Sequence, residues 1–245
     1  MPKKNKPTWI FVVGTYRTAS TTQYEIIRDI LEDSKAGKGV GYYDQKGWKI
    51  RNFDDPKHGK YIACKNFTYL PKENPLVKAF KEEGRLKAAG TIRDPRDIAT
   101  SMMIRSWNID NDSWSFEETV TEFFPVWLGQ FDEWVQELQQ DMVVSRFEKF
   151  TKDLMYETKR LSKFLEIELT PQQIETIASR YTTKEIMKRK KEAKEQDERE
   201  DEWLPAIPAI VTGKSGIYKE YLEPEQIAMV EEANEDFLKR WGYLT

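Results

Sequence analysis

One short stretch limits this chain more than any other: FVVGTYRTASTTQYEI, residues 11–26. Residues 9–13 form an apolar run that stops at Gly14, which suits a short buried strand. From about residue 20 the pattern becomes helical, with Tyr24, Ile27, Ile30 and Leu31 spaced along one face. A strand that enters a helix through a tight loop aims backbone N–H groups and the positive end of the helix dipole at one spot, where an anion binds. Ser20, Thr21 and Thr22 add three hydroxyls there. A second reading stays open: Thr22 and Glu25 fit a capping box, in which case the hydroxyls only finish a helix end.

The loop shares its frame with the Walker A pattern G-x-x-x-x-G-K-[ST], but Ala19 stands at the second glycine and Ser20 at the lysine. Nucleoside triphosphate enzymes need that lysine on the phosphates and the next hydroxyl on Mg²⁺. Here the cation stands three residues earlier, at Arg17. Its planar five-donor guanidinium suits an oxyanion. The loop therefore reads as a phosphate cradle without magnesium–triphosphate chemistry, which disfavours a divergent kinase. If position 19 requires a positive φ, alanine there is strained.

A second constellation is AAGTIRDPRDIATSMM, residues 88–103. Residues 86–92 read as a strand; Asp94 as an N-cap and Pro95 at the first helical position start a helix through Arg105. Arg93 thus falls at the carboxyl end of a strand, where ligands of open α/β sheets bind. The alternative is that Arg93 and Arg96 only pair with Asp94 and Asp97.

Elsewhere strands fit residues 61–66 and 142–147. Helices fit 116–139, 154–165 and 171–180, a short helix closes at Gly84, and a last one starts near Pro224. Residues 35–60 hold five glycines among many charges and read as loop. Alternating strands and helices predict an α/β fold: a mostly parallel central sheet flanked by helices, in one domain over 1–245. Residues 184–202 carry 15 charges in 19 positions, so a solvated helix is expected, followed by a proline-interrupted, lid-like stretch up to residue 212. Charged residues reach 33%, but 13% aromatic content supports a folded core.

The net charge of -3 argues against a general nucleic-acid binder. Cys64 is the only cysteine and His58 the only histidine, so disulfide, cysteine-cluster and multi-histidine metal sites are excluded. No apolar run approaches the roughly 20 residues of a membrane span, and residues 9–13 are too short for a signal core. The expectation is a soluble, cytoplasmic protein with no membrane partner.

Taken with their order, these segments resemble the sulfotransferases that use 3′-phosphoadenosine 5′-phosphosulfate. YRTASTT is similar to that family's 5′-phosphosulfate loop, and RDPRDIATS to its 3′-phosphate segment. VVSRFEKFTKDLMYETKRLSKFLEI is similar to its Tyr-Glu-Asp-Leu strand and following helix, and GKSGIYKEYLEPEQ to the loop that closes over the nucleotide. The match runs from about Trp9 to Gly242 and implies a P-loop-like sulfotransferase fold. It implies catalytic roles for Arg17 and Lys65, with His58 the only histidine available as a base, since Phe67 stands where the family has one. Asp44, Asp54, Asp55 and Glu73 are carboxylate alternatives. It implies cofactor contacts at Arg17, Thr18, Ala19, Ser20, Thr21, Thr22, Arg93, Ser101, Phe147, Thr182, Thr212, Gly213 and Lys214, and no metal. The implied product is adenosine 3′,5′-bisphosphate (PAP), and the acceptor a small molecule or carbohydrate. Tyr42, Tyr43, Trp48, Trp107, Trp114 and Trp203 are candidates to line its cleft. The alternative is a non-catalytic nucleotide-binding module that kept the phosphate loops.

Overall fold

A computed structural model describes residues 6–42, 52–66, 75–104, 115–196 and 214–244, the side chains of 190–196 excepted. Five strands build one sheet: β1 (Thr8–Gly14), β2 (Gly37–Tyr42), β3 (Tyr61–Lys65), β4 (Leu86–Ile92) and β5 (Met142–Arg146). They lie in the order β2-β3-β1-β4-β5, and every pair is parallel. The expected α/β architecture is therefore the one observed. All carboxyl ends share one edge, where the loops can converge.

Alternation along β1 explains why both faces are covered. Trp9, Phe11 and Val13 point into one core with Phe80, Phe131 and Trp134; Ile10 and Val12 point into the other with Ile27, Ile30 and Leu161. Helix α1 (Ser20–Asp33) covers the second face, joined by α7 (Leu154–Phe164) and α8 (Pro171–Ser179). The first face takes α2 (Pro75–Glu82), α3 (Pro95–Ile104) and α5 (Phe124–Leu138). Full burial of a side chain such as Phe11 contributes about 1.5–3 kcal/mol.

The structure departs from the sequence reading in four places. Residues 37–42 form the edge strand β2 instead of loop. Gly37 lies so close to β3 that a Cβ would fall 1.9 Å from the Tyr61 carbonyl oxygen, so this glycine marks close packing of strands. The expected 116–139 helix is divided: α4 (Phe116–Glu118) passes through a π-helical turn, Thr119–Phe123, into α5. Pro125 has no N–H, and the turn absorbs the mismatch. Phe147 opens a short helix, α6 (Phe147–Phe150), instead of extending β5. The last helix breaks at Asn234 into α11 (Pro224–Ala233) and α12 (Glu235–Arg240), behind a single turn, α10 (Tyr218–Tyr221). The charged segment is helical as α9 (Thr183–Gln196); the lid-like stretch beyond it lies outside the described residues. Among the described residues, no helix is long and apolar enough to cross a membrane.

Candidate functional site: a phosphate cradle at the carboxyl edge

Gly14 ends β1 where the chain folds back on itself. A Cβ there would lie 2.7 Å from Ser20 Cβ and 2.8 Å from Thr91 Oγ1, so only glycine fits. Thr18 is buried inside the loop: its hydroxyl donates to the Thr15 carbonyl at 2.9 Å and lies 2.9 Å from the Thr91 hydroxyl. Arg17 and Ala19 have φ of 63° and 69°. Two non-glycine residues in the left-handed region are strain of the kind that collects at functional sites. The condition set for Ala19 is met.

Ala19 is also the N-cap of α1 and offers no capping oxygen, and the first turn carries no acidic side chain. The Thr22–Glu25 capping box does not form. Thr22 is buried, and its hydroxyl has no hydrogen-bond partner. The α1 amino terminus thus keeps unsatisfied donors together with its positive dipole.

The second segment meets the first across the sheet. Arg17 Nε donates to Ser101 Oγ at 3.0 Å. Arg93 donates from Nη1 to the Arg17 carbonyl at 3.2 Å and from Nη2 to the Lys214 carbonyl at 3.1 Å. Its Nε has no hydrogen-bond partner and sits 3.9 Å from Asp97 Oδ2. Burial pulls the Arg93 pKa down, with the Asp97 charge opposing. Asp97 is turned elsewhere: it accepts from Gly216 N at 2.7 Å and Tyr218 N at 3.2 Å, mooring the start of the C-terminal region to α3. The pairing alternative describes Arg96 better, which is buried and binds Asp94 at 2.7 Å, Glu231 and the Tyr243 carbonyl.

Lys65 ends β3 at the same edge and is buried, donating from Nζ to the Asn66 carbonyl at 3.2 Å. Burial drives its pKa down to about 7. His58 does not join it. It sits in the 3₁₀ turn Pro56–His58 that leads into β3, against the Phe53 ring. The five-residue strand that follows carries the chain about 17 Å to the other edge. His58 and Lys65 therefore lie at opposite edges of the sheet. Asp54 and Asp55 share the far edge. Burial raises the Asp54 carboxyl, but hydrogen bonds from Lys6, Arg85 and Trp9 hold it below its usual range. Asp44 and Glu73 lie outside the described residues.

Phe147 is buried with the Arg93 guanidinium 4.0 Å above its ring, so one face serves the arginine. Thr182 lines a cavity of about 470 Å³ with Thr151, Leu154, Met155 and Tyr181. Its hydroxyl accepts from Glu185 N at 3.3 Å and donates to the Ser179 carbonyl at 3.2 Å, which is capping work. Lys214 is exposed and contributes its carbonyl to Arg93; Thr212 and Gly213 lie outside the described residues, as do Tyr43, Trp48, Trp107, Trp114 and Trp203.

The sequence reading missed an aromatic set beside Arg17. Tyr16 meets Trp127 edge-on at 4.8 Å, and Phe123 stacks on Trp127 at 5.9 Å. The helical spacing of Phe123 and Trp127 was visible; nothing in it showed that Tyr16 completes the group.

The sulfotransferase domain model matches residues 7–242. Retinol dehydratase in complex with androsterone and the inactive cofactor PAP superposes with a TM-score of 0.63 at 18% identity, over 96% of this chain and 81% of that one. Mouse sulfotransferase SULT7A1 complexed with PAP gives 0.68 at 18% identity, over 94% and 84%. No curated protein matches the chain in sequence. At such identities the structures establish the shared fold, and the domain match over nearly the whole length establishes descent: the chain belongs to the sulfotransferase family.

Proposed function

We propose that the protein moves a sulfuryl group from 3′-phosphoadenosine 5′-phosphosulfate to a hydroxyl or amine of a small-molecule acceptor, with the residues above in the following roles. The observation that carries this assignment is the meeting of Arg17 with Ser101, and of Arg93 with the Arg17 carbonyl, beside an uncapped helix start. The uncapped start of α1 and the Arg93 Nε, which has no hydrogen-bond partner, fit an anion of two phosphate groups. When bound, the cofactor supplies an activated sulfuryl group and a bisphosphate leaving group. The amides of α1 with the Ser20 and Thr21 hydroxyls would hold the 5′-phosphate, and Arg93 with Ser101 would hold the 3′-phosphate. Arg17 would supply a fixed cation near the bridging oxygen, where negative charge would grow during transfer. Lys65 offers a second cation that burial leaves easy to deprotonate.

The acceptor proton does not go to a histidine, because His58 is the only one and lies at the far edge. An acceptor that is already acidic, such as a phenol, needs less help. Tyr16, Phe123 and Trp127 support a flat apolar acceptor, and retinol and androsterone occupy relatives of this fold. A cytoplasmic working place belongs to the same proposal, supported by the lone buried cysteine.

Calorimetry in EDTA tests the site. PAP should bind without added metal and better than 5′-AMP; equal affinity overturns the assignment of Arg93 and Ser101. Single-turnover transfer of labelled sulfate to phenols, sterols, sugars and amines then tests the reaction. Tight PAP binding with transfer to none of them favours the non-catalytic module.

A further inference from the structure

Two irregularities of the helices, the π turn and the break at Asn234, meet in one side chain. In the turn Thr119–Phe123, the Phe124 N–H reaches five residues back to the Thr119 carbonyl. The next donor in that register belongs to residue 125, and Pro125 has none. The Val120 carbonyl is orphaned on a wholly buried residue, where a backbone carbonyl needs a partner. Asn234 supplies it: its Nδ2 donates to the Val120 carbonyl at 3.2 Å and to the Val230 carbonyl at 2.9 Å. An asparagine at the start of a helix ordinarily turns its oxygen to the first amides. Asn234 precedes α12 and makes no such cap; its Oδ1 is buried without a hydrogen-bond partner. Two carbonyls can only accept, so the direction of the amide is fixed, and the cap is given up for the turn.

We propose that Asn234 is a positioning residue of the acceptor site: by holding the Val120 carbonyl it keeps the π register, and that register sets Phe123 against Trp127. The inference rests on the reading of Tyr16, Phe123 and Trp127 as an apolar surface for the acceptor. Phe123 is the last residue of the turn, and its ring stacks on Trp127 at 5.9 Å. Trp127 meets Tyr16, the neighbour of Arg17, at 4.8 Å. Once the Asn234 amide is removed, the nearest donor in the chain is the Phe124 N–H, and taking it returns the turn to the α register. Thr119–Phe123 then rewinds, and Phe123 moves with it. The nucleotide contacts proposed at α1 and Arg93 lie on other elements, so acceptor and cofactor affinities should respond differently.

The test uses the whole protein loaded with PAP, and 2-naphthol, a flat phenol of two rings, as the acceptor probe in calorimetry. Asn234→Ser keeps a hydroxyl for its own helix carbonyl, Val230, but is too short to reach Val120. It should weaken 2-naphthol about fivefold, the size of one hydrogen bond, and leave PAP affinity unchanged. Adding Pro125→Ala returns an N–H to the Val120 carbonyl in the π register and should restore 2-naphthol binding. Equal weakening of both ligands, or 2-naphthol binding that Asn234→Ser leaves unchanged, assigns Asn234 to the C-terminal helices alone and overturns the inference. So does a defect of binding or of folding that Pro125→Ala fails to repair. A wild type that binds PAP but no 2-naphthol overturns the acceptor reading itself and the inference with it.

Discussion

Two arginines bracket the same strand. Arg85 precedes β4 and Arg93 follows it; both are nearly buried, and both lie over a phenylalanine ring, Phe80 at 4.8 Å and Phe147 at 4.0 Å. Their partners differ. Arg85 reaches Asp54 at 2.8 Å, the Pro7 carbonyl at 2.7 Å and Glu83, so its charge is neutralised inside the protein. Arg93 has two carbonyls, an unpartnered Nε and a carboxylate no nearer than 3.9 Å. A buried cation is costly unless matched. One end of β4 carries its own counter-charge; the other calls for an anion from outside. Burial alone would not have separated a structural arginine from a ligand-binding one; the census of acceptors does.

The contrast can be broken from either side. Arg85→Ala strands the Asp54 carboxylate and should cost about 3–5 kcal/mol in denaturant unfolding, with PAP affinity of the folded fraction unchanged. Arg17→Ala should lower single-turnover transfer by about 10²–10³, or about 2.7–4 kcal/mol, while PAP affinity falls far less. Arg17→Lys should recover part of the rate, because the charge returns without the fork. Arg93→Ala should weaken PAP by about 2–3 kcal/mol in calorimetry and spare stability, the reverse of Arg85→Ala; a loss of stability matching that of Arg85→Ala would erase the distinction. Lys65 gives the contrast a pH dependence. Its folded pKa is about 7, so above that value the free protein holds a neutral amine, and an anion that favours the ammonium must recruit a proton. PAP affinity should therefore fall as pH rises through 7, by at most about tenfold per unit, and Lys65→Met should flatten the slope. The smallest effect is expected at Ala19, where φ is 69°. Ala19→Gly relieves the left-handed strain and should stabilise the fold by about 1 kcal/mol.

The strands and helices that were legible in the sequence are those with apolar patterning. β1, β3 and β4 carry apolar runs bounded by breakers, and α1 shows its buried face in Tyr24, Ile27, Ile30 and Leu31. β2 was not legible because Gly37, Gly39 and Gly41 suggest turns, whereas they let an edge strand approach β3 and α1 closely. The phosphate loops were visible because spacing along the chain fixes what a helix start presents. The Arg17–Ser101 contact was not, since it joins residues on neighbouring elements that only the sheet order brings together. His58 attracted attention by being the lone histidine, and the direction of one strand sets it at the edge away from Lys65. Tyr42 was named for its aromatic ring; the register shift that sets it beside Lys65 was not legible along the chain.

The β1–β4 register has a kinetic consequence. Gly14 pairs with Thr91, and from those two ends the chain continues into Arg17 and into Arg93. Both strands are parallel and distant in sequence, so their alignment is a slow, non-local event. A nucleotide that spans both segments has nothing to grip until that alignment is made. Its stabilisation is absent from the barrier for folding and appears wholly in the barrier for unfolding. Saturating PAP should lengthen the native lifetime and leave the refolding rate untouched, so the supply of nucleotide would govern how long each copy survives proteolysis.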